Sequence, residues 1–198
     1  PHHHGNLREA LILAGLKLLE SEGPAALTLR KCAVMAGVSH AAPANHFKGL
    51  ISLKMAIKAH GHVLFADMMR QFSGKADTSA HAQLNAICEG YIAFAVKHPA
   101  LFKFMFNPLS EGPLEIDDVT QAAMNEAAMA SYDVLHQACI PFEHSNDDAL
   151  NTETMVWSMV HGYAMLFTVR RMGSQPAQTI PKFADILPAL KLRADTKA

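Results

Sequence analysis

The stretch ALTLRKCAVMAGVSHAAPANHF, Ala26 to Phe47, decides how this chain folds. Thr28 offers a hydroxyl suited to a helix N-cap, and Leu29, Ala33 and Ala36 then recur on one face. Gly37 follows as a natural stop, because glycine accepts the left-handed conformation in which helices end. Ser39 is placed to cap a second short helix after a turn of about three residues. Two short helices around a glycine-containing turn, with small residues where they cross, predict a helix-turn-helix. An ordinary helical hairpin shares that local form, so the flanking segments carry the distinction.

Upstream, a helix over about Leu7 to Glu22 puts Leu11, Ala14, Gly15, Leu18 and Leu19 on one stripe and stops at Gly23-Pro24. Downstream, Gly49 to about Ser73 reads as a long amphipathic helix with Leu53, Ile57, Leu64, Phe65, Met68 and Phe72 inward. Gly74 to Thr78 breaks it. Further helices are expected over about Ser79–His98, Leu101–Phe106, Asp117–Ala138, Asp147–Met172 and Pro181–Leu192, with a loop over 109–116. Asp117-Asp118 and Asp147-Asp148 read as helix-start acids that complement the dipole, and Pro188 kinks or shortens the last helix. No segment reads as a strand. The fold class is all-α, with about nine helices arranged as a small three-helix head and a larger helical body.

Composition agrees. Half of the 198 residues are hydrophobic, and Ala, Leu and Met outweigh the β-branched and aromatic types that favour sheets. Cys32, Cys88 and Cys139 are far apart, as expected of free thiols in a reducing cytosol. The longest apolar tract, Met155 to Val169, is about 15 residues long and contains His161, which is short for a membrane span. No signal peptide is visible, so the expected location is cytoplasmic.

The net charge of −1 conceals an asymmetry. Residues 1–60 hold Arg8, Lys17, Arg30, Lys31, Lys48, Lys54 and Lys58 against Glu9, Glu20 and Glu22, and the remainder is acidic. A basic first third on an acidic body suits a head that meets phosphate.

Glu22-Gly23, Thr28, Ala36-Gly37-Val38-Ser39 and His46-Phe47 together resemble the tetracycline-repressor (TetR) family of transcriptional regulators. Val38-Ser39-His40-Ala41-Ala42-Pro43 and Gly5-Asn6-Leu7-Arg8 resemble one subgroup of it, and His3-His4 fits either that subgroup's native start or a clipped tag. In the body, Trp157…His161-Gly162, His98-Pro99-Ala100-Leu101-Phe102 and Met105-Phe106 are similar to the Trp-His-Gly type of ligand-binding domain. The resemblance is strongest over residues 7–60. It implies residues 1–48 as a DNA-binding domain and 49–198 as a ligand-binding and dimerisation domain. It further implies a homodimer whose last two long helices form a four-helix interface, bound to a palindromic double-stranded DNA operator as a repressor. Gly162, which costs a helix about 1 kcal/mol relative to alanine, would help such an interface to pack, or else mark a kink or a pocket wall.

For DNA binding, exposed N–H groups near Thr28 and Ser39 are anion sites, and both hydroxyls suit capping, phosphate contact or both. Lys48 and Lys54 lie where the chain enters the long helix and are phosphate partners, although Lys54 also suits a solvated face. His40, Ala41, Ala42, Asn45 and His46 form the groove-facing set, with Asn45 and His40 as base readers, since Asn pairs with adenine and Ala packs on a thymine methyl. The chain departs from the family pattern at Ala44, where a phosphate-contacting Tyr is usual, at Leu50, where Lys is common, and at Asn45, often basic in the subgroup. Those departures leave open a helical dimeric module that has lost operator binding.

Phe65, Met68, Met69, Phe94, Phe102, Met105, Met124, Trp157, His161 and Met165 are the candidate lining for an unidentified small hydrophobic effector, because Met-rich walls repack readily. Each is equally suited to plain core. His161 and Tyr163 supply polar contacts. Catalysis is not expected: no phosphate loop, Cys-x-x-Cys pair or nucleophile elbow occurs. His60-Gly61-His62 lacks metal-ligand spacing, so neither a metal nor a cofactor is expected.

Overall fold

A computed structural model describes residues 7–109, 115–142, 149–172 and 181–193. The His run with Gly5-Asn6, and Asp147-Asp148, lie outside the described residues. The chain is all-α, with eight α-helices and two short 3₁₀ turns among the described residues. By Cα proximity it divides into two compact units, Pro1–Leu64 with His98–Met129, and Phe65–Lys97 with Ala130–Ala198.

In the first unit, α1 (Leu7–Glu22) buries Leu11, Ile12, Ala14, Gly15, Leu18 and Leu19, the stripe its sequence spells out. It packs against α2 (Leu29–Met35) and α5 (Pro99–Phe106). Thr28 caps α2, its Oγ1 accepting the Lys31 N–H at 3.1 Å. At the other end Gly37 adopts φ 71°, a conformation a Cβ would strain. The Gly37 N–H then reaches Val34 O and the Val38 N–H reaches Ala33 O, a Schellman closure that satisfies two end carbonyls.

The second helix expected from Ser39 does not form. In its place stands a single 3₁₀ turn, Ala42–Asn45, with Ala41 at its N-cap and no side-chain cap. Pro43 is the physical reason. It has no N–H to give the Ser39 carbonyl, which instead takes the Ala42 N–H at 3.0 Å, and Ala44 likewise bonds three residues back to Ala41. Pro43 and Phe47 are buried, so the turn is anchored from below by both.

α3 (Leu50–Ser73) enters after Gly49 and buries Leu53, Ala56 and Ile57 in the first unit. In the second unit it buries Phe65, Ala66 and Met69, with Met68 half-buried. α4 (Ala80–Lys97) begins after Ser79, whose Oγ accepts the Ala82 N–H. Gly90 lets α4 approach α3 closely: a Cβ there would stand 2.7 Å from the Met69 Cα. α5 starts two residues before the expected Leu101, because proline at the first helical position forfeits only an N–H that has no partner anyway.

α6 (Asp118–Cys139) is capped by Asp117, whose Oδ1 accepts the Thr120 N–H at 2.8 Å. α7 (Ala149–Met172) packs against α4 in the second unit. The final helix is much shorter than expected: α8 is Phe183–Ile186 alone. Pro188 forces Leu187 into extended backbone, with φ −67° and ψ 127°, and ends it. The chain continues beside Pro141-Phe142, with Arg193 N–H bonded to Pro141 O and Phe142 bridged to Leu192.

Candidate functional site

The nine residues expected to meet DNA all fall in the first unit. Thr28, Ser39, His40, Ala41, Asn45 and Lys48 are exposed, while Ala42, His46 and Lys54 are half-buried. Their exposure follows from the turn. With Pro43 and Phe47 directed inward, the side chains of positions 40, 41, 44 and 45 are left on the outside. Ala44 adds no polar group there.

Several basic residues of this region are already engaged within the protein. Lys31 pairs with Glu22 at 2.8 Å. Lys58 is only 6 % exposed; its Nζ donates to the Asn107 carbonyl and stands 5.5 Å over the Phe104 ring. Burial pulls the Lys58 pKa down. His62 lies nearby, edge-on to Phe106, and burial together with the Lys58 charge lowers it to about 4. Arg8 bonds to Thr120, approaches Asp117 at 3.8 Å and covers the Phe47 ring at 4.9 Å. Among the described residues Arg30, Lys48 and Lys54 make no ion pair, so they remain available for phosphate.

The candidate effector residues separate into two groups. Phe102 and Met105 are buried core of the first unit, packed beside Gly61 and Phe106, with Met124 half-buried there on α6. Phe65, Met68, Met69, Phe94, Trp157, His161 and Met165 belong to the second unit. There Phe65 meets Phe94 at 5.1 Å and Tyr91 edge-on at 4.6 Å.

Tyr91 is the residue that sequence reasoning missed. Only 2 % exposed, it joins two of the predicted residues: its hydroxyl lies 2.8 Å from Nδ1 of His161 and accepts the Trp157 indole N–H at 3.3 Å. An indole N–H can only donate, so the hydroxyl accepts from Trp157 while it bonds His161. Burial lowers the His161 pKa, which favours the neutral imidazole. Trp157 is 41 % exposed and edge-on to Tyr132, so the chain of polar groups runs from the protein surface to the core. Such a line of donors and acceptors within aromatic walls can orient a ligand that carries one polar group. Tyr163 serves a different purpose: its hydroxyl donates to Pro181 O and its ring meets Phe183, holding α8.

Outside this hub, the buried Glu153 carboxylate accepts from His136 Nδ1 at 2.6 Å. No described helix is long and apolar enough to cross a membrane.

Comparison with known proteins places this architecture. No curated protein matches the sequence. A protein of unknown function from Rhodococcus sp. RHA1 is 27 % identical, with a TM-score of 0.70 over 89 % of this chain and 90 % of that one. The fold is shared with the transcriptional regulator FadR from Bacillus subtilis, solved in complex with stearoyl-CoA, at 14 % identity and a TM-score of 0.64, covering 83 % and 89 % of the two chains. It is also shared with the TetR family transcriptional regulator PfmR from Thermus thermophilus, at 13 % identity and 0.57, covering 85 % and 97 %. Residues 84–188 match the family described as "Tetracyclin repressor-like, C-terminal domain". The chain therefore belongs to the tetracycline-repressor-like family of helical transcription regulators.

Proposed function

We propose that this protein is a ligand-responsive, sequence-specific DNA-binding repressor that acts as a homodimer on a palindromic operator. Residues 1–48 are the DNA-binding part and 49–198 the effector-binding and dimerisation part. The observation that carries the reading is the exposed Thr28–Lys48 surface: capped α2, an outward turn, and Arg30 and Lys48 without ion pairs among the described residues. Asn45 and His40 read bases, while Thr28, Ser39, Lys48 and Lys54 hold phosphates.

Dimerisation is supported by α7. Asn151, Thr154, Ser158, Gly162 and Leu166 follow one another at helical spacing, and all but the half-buried Gly162 are exposed. A Cβ on Gly162 would meet nothing within 4 Å among the described residues, so no described contact within the protomer explains that glycine. Small residues four apart, followed by a 67 % exposed leucine, suit close approach of a second copy of the helix. Effector binding is assigned to the Tyr91–His161–Trp157 hub, and the ligand is a small hydrophobic molecule with one polar group. It acts by favouring a body conformation in which the two heads are wrongly spaced for the duplex.

One observation favours the second reading, a dimeric ligand-binding module without operator binding. The groove-entering helix is reduced to one 3₁₀ turn, and Ala44 and Leu50 replace the usual phosphate-contacting types. A salt titration against DNA from beside its own gene and against random duplex separates the two. Tighter binding to the native DNA at every salt concentration supports the repressor. Equal weak affinity for both supports the module.

A further inference from the structure

The structure assigns Arg8 a positioning role: we propose that its guanidinium clamps the DNA-reading turn to the first turn of α6, so that α6 sets the turn's orientation. This rests on the DNA-binding reading above and adds the element that regulates it.

Three contacts converge on the one side chain. Arg8 Nη2 donates to Thr120 Oγ1, the same guanidinium lies 3.8 Å from Asp117 Oδ1, and its carbon sits 4.9 Å over the Phe47 ring. Phe47 is 3 % exposed and ends the turn, its N–H bonded to the Pro43 carbonyl. Opposite it, Asp117 and Thr120 are fixed independently of Arg8. Asp117 caps α6 through the Thr120 N–H and accepts the Thr120 hydroxyl at 2.7 Å, and its own N–H donates to the fully buried Ser52 of α3.

A recess of about 390 Å³ is bounded by both sides, with Ala44, Asn45 and Lys48 on one and Asp117 and Val119 on the other. Arg8 spans it. The fit is specific to arginine, whose planar fork can bond in its plane while its face stacks on an aromatic ring; lysine supplies the charge without that geometry. With its donors turned toward α6 and its face on Phe47, Arg8 is withdrawn from the phosphates it would otherwise serve. A displacement of the α6 N-terminus would move the turn that carries Asn45 and His46.

The clearest variant is Thr120→Val, which removes the hydroxyl but keeps the N–H that caps α6; Arg8→Lys tests the fork. Backbone hydrogen exchange is read at His46 and Phe47, both bonded to the Pro43 carbonyl, and at Cys32 of α2 and its C-cap Ala36 as an internal reference. The clamp predicts roughly tenfold faster exchange at His46 and Phe47 in both variants, with α2 unchanged. Unchanged exchange at the turn, or equal acceleration in α2, overturns it.

A second arm uses a duplex that the wild-type protein has selected from a random library. Arg8→Gln and Thr120→Val should lower the preference for the selected duplex over random duplex about tenfold, the scale of one lost base contact. Affinity for random duplex and its salt slope should stay the same. A salt slope reduced by about two in Arg8→Gln, one contact per protomer, marks a phosphate contact instead and contradicts the clamp. Where the wild-type protein selects no sequence, the repressor reading fails, and the exchange arm decides the clamp alone.

Discussion

The Tyr91 hydroxyl lies 2.8 Å from Nδ1 of His161 in the second unit, on a ring only 2 % exposed. The Trp157 indole feeds the same hydroxyl from the surface side. The Tyr91 hydroxyl thus bonds both partners at once. Tyr91→Phe should keep the ring packing against Phe65 while removing the hydroxyl that bonds His161 and Trp157, a loss of about 1–3 kcal/mol by urea denaturation. Trp157 is the only tryptophan, so its emission reports the change directly, and it should also lose its response to effector. Unchanged stability and emission would show the hub to be incidental.

Gly162→Ala separates the protomer from the dimer. With no described atom within 4 Å of the missing Cβ, alanine should stabilise the isolated α7 by about 1 kcal/mol through helix propensity. At a two-fold helix contact the same methyl holds the partners apart. Analytical ultracentrifugation should show at least a tenfold weaker dimer, with thermal stability of the dissociated chain raised. An unaltered dimer constant would remove Gly162 from the interface.

His62 makes stability fall on the acid side. Its folded pKa of about 4 lies below the ordinary imidazole value of 6.5, so the unfolded chain binds the proton first. Stability from this group is full above pH 6.5 and is lost as the pH falls toward 4. Between pH 7 and pH 5 it should account for about 2 kcal/mol of lost stability, and His62→Gln should flatten that limb. An unchanged slope in the variant would refute the assignment.

Salt dependence measures how many phosphates the head holds. Arg30, Lys48 and Lys54 of two heads make about six contacts, a log–log slope near −5. Lys48→Ala should weaken all sequences alike and reduce the slope by about two, one contact per protomer. Asn45→Ala should leave the slope alone and relax sequence preference. Identical behaviour of the two variants would contradict this division of roles.

Gly90→Ala is the severe core change. The new Cβ would meet the Met69 backbone, which cannot rotate aside, so a loss of about 1–3 kcal/mol or more is expected in thermal unfolding.

Much of this was legible in the residues because it is local. The α1 stripe, the Thr28 cap, the Gly37 stop and the Asp117 start each depend on neighbours within a turn, and each lies where the spelling puts it. Ser39 misled because serine before a short polar-small run normally starts a helix, whereas Pro43 removes the N–H that an α-turn from Ser39 would use. Pro188 acted in the same way on the last helix, more strongly than expected. The contacts of Arg8 with Thr120, of Ser52 with Asp117 and of Tyr91 with His161 are not legible for another reason. These pairs are separated by 65 or more residues, and nothing in a helical stripe distinguishes a tyrosine that bonds His161 from one that merely fills space. The effector set was chosen by residue type, so it mixed core residues of both units.

Selection of bound duplexes from a random-sequence library, with the stoichiometry of the complex measured by native mass spectrometry, tests the central claim most directly. Enrichment of an inverted repeat whose half-sites lie one helical turn or a multiple apart, bound by an even number of chains, is the predicted result. Recovery of no common sequence, or of a complex holding one chain, would contradict it.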